Sequence, residues 1–431
     1  MRGWTFRRVR AALRQNGPTS IDFRRRIALI GGAVLVGIAA LSFAQAADVA
    51  SLIFARLTAA RWWLPLIATP VGFMLLAWLT RRFAPLSGGS GIPQIIAAIR
   101  MPPAASKPLL AMQNAIWKCS LTLCALLIGA SVGREGPTVQ VSASLLAWVH
   151  GVLKVPMRAS VMIAGGAAGV AAAFNTPLAG IAFAIEELAI RYEQRTTLLV
   201  ITAVIVSGIV ALSLAGDYVY FGVVSARIDI MSGAVAMIIA GVIGGALGGL
   251  FSRLMQDWVA GRHPLARIAA QRPLVTAALL GLGVAAIGCA SGLTWGTGYD
   301  PARRAVTGLA ELPWYFMPAK FAATLLTAFS GIPGGIFAPS LATGAGVGAL
   351  VHTLMPSQSA GPMILIGMAA YFAGVVRAPL TAVIVISETT GSRGMMLPLL
   401  GAALIADGVS ALICPTRLYH GLSERYLIRT K

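Results

Sequence analysis

Gly133-Arg134-Glu135-Gly136-Pro137 sets a carboxylate and a guanidinium inside a break in a long apolar stretch. No charged residue falls between Leu121 and Ala130, and after Pro137 none occurs until Lys154. A charge at membrane depth costs about 2.5–3.5 kcal/mol on insertion scales, so one retained there has a task. Glycine and proline leave backbone groups that a continuous helix would consume, and irregular backbone survives in a bilayer only around a cavity or inside protein. Glu135 is therefore the leading functional candidate.

Two other segments share this design: Gly89-Ser90-Gly91-Ile92-Pro93, and Gly331-Ile332-Pro333-Gly334-Gly335-Ile336-Phe337-Ala338-Pro339. Proline is favoured in a helix's first turn, where its missing amide would be unpaired anyway. The neighbouring amides stay free and the macrodipole adds partial positive charge, which together make an anion site. A halide suits such a site, since partial charges replace its water without holding it too tightly to leave. Ser90 offers a hydroxyl to the ion, or caps the helix that begins near Pro93. Arg134 is a fixed attractive charge or a brace for an acid. Glu135 can compete with the anion through its own carboxylate and move aside when protonated, which links proton binding to anion binding. Its plain alternative is a structural acid paired with Arg134.

Further acids lie downstream. Glu186 and Glu187 follow Phe174-Asn175-Thr176-Pro177-Leu178-Ala179-Gly180 in a helix that runs toward Arg191. One should pair with a cation and the other accept protons at the cytoplasmic end, and the sequence does not separate them. Glu388 reads as a helix-end acid near Arg393. Lys118 should snorkel or tune the field. Gly241, Gly245 and Gly249, with Gly244 and Gly248, form a ladder suited to close helix packing.

The elements that must position these residues are transmembrane helices. The chain of 431 residues is 57% hydrophobic and 11% charged, with mean hydropathy +0.81; a soluble protein carries about a quarter charged residues. Apolar runs at roughly 27–47, 62–80, 109–130, 160–185, 198–215, 231–251, 273–290, 361–386 and 395–414 meet the length of about 20 residues that a span requires. They predict an all-α polytopic membrane protein with ten or so crossings and no soluble domain. The expected division is a basic segment at 1–26, a transmembrane region at 27–414 with halves near 27–215 and 231–414, and a tail at 415–431.

Net charge is +20, from 34 Lys and Arg against 14 Asp and Glu. In a membrane protein this excess belongs to cytoplasmic loops rather than to nucleic acid, and it also favours small anions. Arg2, Arg7, Arg8, Arg10, Arg14, Arg24, Arg25 and Arg26 place the N-terminus in the cytoplasm; Arg417, Arg425, Arg429 and Lys431 place the C-terminus there too. The basic start and Ala44-Gln45-Ala46 imitate a signal peptide, but the basic region is too long and the remainder never becomes soluble. Cys119, Cys124, Cys289 and Cys414 have neither zinc nor redox spacing, and read as packing residues. His150, His263, His352 and His420 form no HExxH pair, and no nucleophile elbow, phosphate-loop lysine or complete dinucleotide motif occurs, so nothing points to an enzyme.

The two halves repeat at an offset of 202 residues. Gly133 and Pro137 fall on Gly335 and Pro339, His150 on His352, Gly165 on Gly367, Pro177-Leu178 on Pro379-Leu380, and Glu186 on Glu388. Interruptions at matching places in two halves are what a transporter built from structural repeats requires, with its substrate held between them. The residues leave open whether the repeats are parallel or inverted.

Gly-Ser-Gly-Ile-Pro at 89–93, Gly-Arg-Glu-Gly-Pro at 133–137 and Gly-Gly-Ile-Phe-Ala-Pro at 334–339 resemble, in order and spacing, the signature segments of the CLC chloride channels and transporters. The resemblance covers nearly the whole chain. It implies two inverted repeats with broken helices around a central anion pathway, in a homodimer whose subunits each hold a pathway, with no cofactor or metal. Ser90 and Tyr419 would coordinate the anion through hydroxyls, and the amides of Ile336 and Phe337, with those from Arg134 to Gly136, would complete the sites. Glu135 would be the gate, and Glu187 the internal proton-transfer glutamate that antiporters keep and channels usually lack. Ser90 is the chloride-type residue at its position. The resemblance thus implies exchange of chloride for protons in a bacterial inner membrane, with a passive chloride channel of the same fold as the alternative. Gln94 stands where the family usually has glutamate, which is expected to alter an ion pair near Arg134. The chain ends twelve residues after Tyr419, without the paired CBS domains of eukaryotic members.

Overall fold

The computed structural model describes residues 20–189, 194–216, 219–223, 228 and 230–428. The arginines before residue 20, Arg191, Arg429 and Lys431 lie outside the described residues, as does the side chain of Arg393.

The described residues form nineteen α-helices. The first half holds α1 (Ser20–Ala60), α2 (Leu64–Phe83), α3 (Ile92–Arg100), α4 (Pro103–Ser106), α5 (Met112–Leu127), α6 (Glu135–Val152), α7 (Ala159–Phe174), α8 (Pro177–Phe183) and α9 (Gln194–Ala215). The second holds α10 (Ile230–Val259), α11 (Pro264–Gln271), α12 (Pro273–Ser291), α13 (Tyr299–Val306), α14 (Phe316–Phe329), α15 (Phe337–Leu354), α16 (Ala360–Val376), α17 (Pro379–Thr390) and α18 (Met396–Ile413), and α19 (Leu418–Ile428) follows. A π turn at Ala184–Leu188 extends α8.

Seven helices among the described residues are long and apolar enough to cross a membrane. Two expected spans are instead broken. The run 160–185 divides into α7 and α8, and 361–386 into α16 and α17. The cause is the same in both. Asn175 (φ 56°) and Arg377 (φ 62°) end the first piece in the left-handed conformation. Thr176 and Ala378, each preceding a proline, leave the helical conformation (φ −132°, ψ 82° and φ −129°, ψ 77°), since the proline ring disfavours a helical neighbour before it. Two further apolar helices, α14 and α15, were absent from the expected runs. Lys320 interrupts the first, and small and hydroxyl residues dilute the second to a hydropathy of 1.2 although 72% of it is buried.

The offset of 202 holds in three dimensions. Helix α6 starts and ends at positions that map onto the ends of α15. Helices α2 and α12, equivalent in the two halves, pack on each other, as do α8 and α17. The Glu186 carboxylate accepts from the amides of Leu380 (2.9 Å) and Thr381 (2.7 Å); the Glu388 carboxylate accepts from Leu178 (3.2 Å) and Ala179 (2.8 Å). Those four amides are equivalent in pairs. A contact that is unchanged when its two sides are exchanged is the mark of a two-fold axis, so the halves are repeats related by such an axis.

The glycine ladder of α10 packs helices on two faces. A Cβ on Gly241 or Gly245 would meet Ile405 or the Ala406 carbonyl of α18, and one on Gly244 or Gly248 would meet the backbone of Ala370 or Gly374 in α16.

Candidate functional site

The three glycine- and proline-rich breaks converge at the axis. Gly133 and Gly335 exchange both backbone hydrogen bonds, at 2.6 and 2.7 Å, in an isolated antiparallel bridge. Gly89 pairs in parallel with Pro333, its amide donating to Ile332 and its carbonyl accepting from Gly334. Packing leaves no room for side chains. A Cβ on Gly136 would lie 2.5 Å from the Ser90 hydroxyl, and one on Gly335 would lie 3.0 Å from the Gly136 amide nitrogen. Gly91, at φ 105°, passes its Cα against the Gly136 carbonyl. The antiparallel bridge aims the starts of α6 and α15 at each other, and α3 starts beside them. Three sets of unpaired first-turn amides therefore gather in one place.

Ser90 is buried and its hydroxyl has no hydrogen-bond partner. It does not cap α3, whose N-cap is Gly91 without a side-chain bond. Tyr419, at the start of α19, is fully buried with an unpartnered hydroxyl. The two hydroxyls face each other, and both line a cavity of about 300 Å³ together with Ile336, Arg81 and Arg425. Ile336 is the N-cap of α15. The Phe337 ring is clamped between Phe174 (5.3 Å) and Phe372 (4.3 Å), which fixes the amide next to it. Two buried hydroxyls and helix-start amides around a cavity, with no protein acceptor, are donors arranged for an anion.

Glu135 opens α6 with 1% of its surface exposed. Its own amide and that of Ala338, in the first turn of α15, face the carboxylate, yet neither oxygen completes a hydrogen bond. The carboxylate thus lies between the two helix starts. No ion pair within 4 Å joins it to Arg134, although the two charges remain electrostatic neighbours. Arg134 turns away. Its guanidinium binds Asp48 at 2.6 Å and the Ala44 carbonyl of α1, above the Tyr220 ring. The side chain braces α1, and only the backbone of Arg134 faces the site. The buried guanidinium must satisfy itself with an acid and a carbonyl, and neither could be matched to it by sequence spacing.

The acid pair separates. Glu186 holds the amides of α17 rather than a cation, while its carbonyl accepts from Arg417 at 2.8 Å. Glu187 is fully buried with both oxygens unpartnered, and its one ion-pair neighbour is His420, with Nε2 3.7 Å from Oε1. Glu388 binds helix amides, as a structural acid would. Lys118 does not snorkel; its ammonium is buried and donates to the Gly89 carbonyl at 2.8 Å, bracing the loop that carries Ser90. Gln94 donates to the Gly88 carbonyl at 2.7 Å, and Arg134 pairs with Asp48.

Sequence reasoning missed Lys320, equivalent to Lys118 at the same offset. It is buried in α14 and donates to Ser131 Oγ and the carbonyls of Thr294 and Gly296 at 2.7–2.9 Å. The repeat was the available signal, since a second buried lysine 202 positions on is not a chance match in an apolar helix.

The voltage-gated chloride channel family's sequence profile matches residues 72–411. Among solved structures, a slow cyanobacterial Cl−/H+ antiporter is 28% identical, with a TM-score of 0.79 over 94% of this chain and 98% of its own. A eukaryotic CLC transporter (23%, TM-score 0.74, 93% of this chain and 74% of its own) and a CLC-type fluoride/proton antiporter (19%, 0.76, 94% and 99%) have the same fold.

Proposed function

Since the chain belongs to the voltage-gated chloride channel family, as an all-α membrane protein of two inverted repeats, we propose that it exchanges chloride for protons across the membrane. The observation that carries this reading is the pair of buried, unpartnered carboxylates, Glu135 and Glu187. A buried carboxylate with no partner is costly when charged, and two of them, both electrostatic neighbours of Tyr419, make resting places for a proton. Electrostatic coupling of Tyr419 to both glutamates supports a proton path that passes the anion site. The 28% identical antiporter points the same way.

In the proposed cycle chloride is held by the hydroxyls of Ser90 and Tyr419 and the amides of Ile336, Phe337 and the segment from Arg134 to Gly136. Ionised Glu135 blocks the pathway by sitting where the anion would. Protonation removes its claim on the amides, the side chain leaves, and chloride takes its place. Glu187 supplies or removes that proton from the other end. The protein works as a homodimer in a bacterial inner membrane, with both termini in the cytoplasm.

The test uses purified protein in liposomes with a chloride gradient and the bath pH recorded, the voltage clamped with valinomycin and potassium near the proton equilibrium potential. Uphill proton movement driven by chloride alone is the expected result. Chloride flux without it would make the protein a channel.

A further inference from the structure

Glu187 is sealed from water, yet a proton acceptor needs a way out. The single titratable side chain beside it among the described ion pairs is His420, whose Nε2 lies 3.7 Å from Glu187 Oε1 and whose side chain is 24% exposed. The ring also approaches the Glu187 backbone carbonyl. On the other edge Nδ1 meets Arg100 at 2.7 Å, and Arg100 pairs with Glu424 at 2.9 Å on the surface. A guanidinium can only donate. Nδ1 must therefore be the bare nitrogen of a neutral ring, which puts the proton on Nε2, pointing at Glu187.

We propose that His420 is the proton relay between Glu187 and the aqueous side on which α19 lies, with Arg100 as its latch. When Arg100 releases Nδ1 and keeps Glu424 alone, Nδ1 takes a proton from water or buffer while Nε2–H passes its proton to the Glu187 carboxylate. One proton enters, one leaves, and the ring ends neutral as the other tautomer. Reversal discharges Glu187. Every charged group around the ring fits this reading: Arg100 from α3, Glu187 and Glu186 from the π turn, and Arg417 and Glu424 beside or on its own helix. Burial, then Arg100 and Arg417, hold the imidazole below the ordinary histidine range, which keeps it neutral and ready to accept. The relay rests on the exchange reading above.

The test measures chloride-driven proton movement in the same liposomes for the unmodified protein, His420→Ala and Arg100→Ala, with chloride affinity by calorimetry. His420→Ala should slow proton movement at least about tenfold with chloride affinity unchanged, and millimolar imidazole in the bath should restore it. Removing Arg100 removes one cause of the lowered imidazole pKa, so the pH profile of Arg100→Ala should move to higher pH. This second variant serves if the first does not fold. Proton movement in the unmodified protein, unaltered in His420→Ala, would overturn the relay alone. Slowing that imidazole leaves in place, or an Arg100→Ala profile that stays where it was, would likewise overturn it. No uphill proton movement in the unmodified protein would sink the exchange reading itself.

Discussion

At the scale of single residues, the candidate site is two buried, unpartnered hydroxyls and a buried, unpartnered carboxylate at the helix starts. Glu135→Ala should abolish proton coupling while chloride continues to move; coupling that survives in liposomes would remove Glu135 from the gate. Hydrogen bonds to a charged partner contribute about 1.5–3 kcal/mol, so Ser90→Ala and Tyr419→Phe should each weaken chloride binding about tenfold by calorimetry, without loss of fold. That Glu135 and Ser90 would be brought together was legible because each sits in a glycine-rich break of an apolar chain. The destination of the Arg134 side chain was not. Its partners Ala44 and Asp48 come from another helix, and only packing brings them near. The division of labour between Glu186 and Glu187 was hidden for the same reason. Adjacent residues in a π turn face different neighbours, and the amides that claim Glu186 belong to the opposite half.

At the scale of elements, the reciprocal caps make a quantitative expectation. Glu186→Ala and Glu388→Ala each uncover two helix-start amides and should cost about 1–2 kcal/mol apiece in denaturation in detergent. Glu388→Ala should leave proton coupling intact, which separates it from Glu187→Gln, expected to lose proton transport and keep stability. The glycine ladder sets another limit. Gly248 passes its Cα against the backbone of Gly374, so Gly248→Val should destabilise by about 1–3 kcal/mol through overpacking, seen as a lower melting temperature. Strong apolar periodicity made the uninterrupted helices readable. The broken ones merged into single runs, because hydropathy averages across an Asn-Thr-Pro or Arg-Ala-Pro hinge that the backbone obeys.

For the whole molecule, the bridge between Gly133 and Gly335, like that between Gly89 and Pro333, joins the two halves through backbone alone. Gly335→Ala would place a methyl 3.0 Å from both the Gly133 carbonyl oxygen and the Gly136 amide nitrogen, so it should part the starts of α6 and α15. Chloride affinity should fall together with stability, whereas a remote packing mutant loses stability alone; calorimetry beside a thermal melt separates the two. The offset of 202 residues was legible in sequence as a handful of matched prolines, glycines and acids, but that it meant a two-fold axis rather than a simple translation required the exchanged contacts.

That symmetry does not extend to the side chains at the helix starts. The position equivalent to Glu135 is Phe337, so of two facing helix starts one carries a side chain that answers to acidity and the other a ring wedged among aromatics. A scaffold whose halves are interchangeable cannot by itself tell one bath from the other. Side chains that differ between the halves, Glu135 against Phe337 and Glu187 against Thr389, are what give such a scaffold two unlike faces.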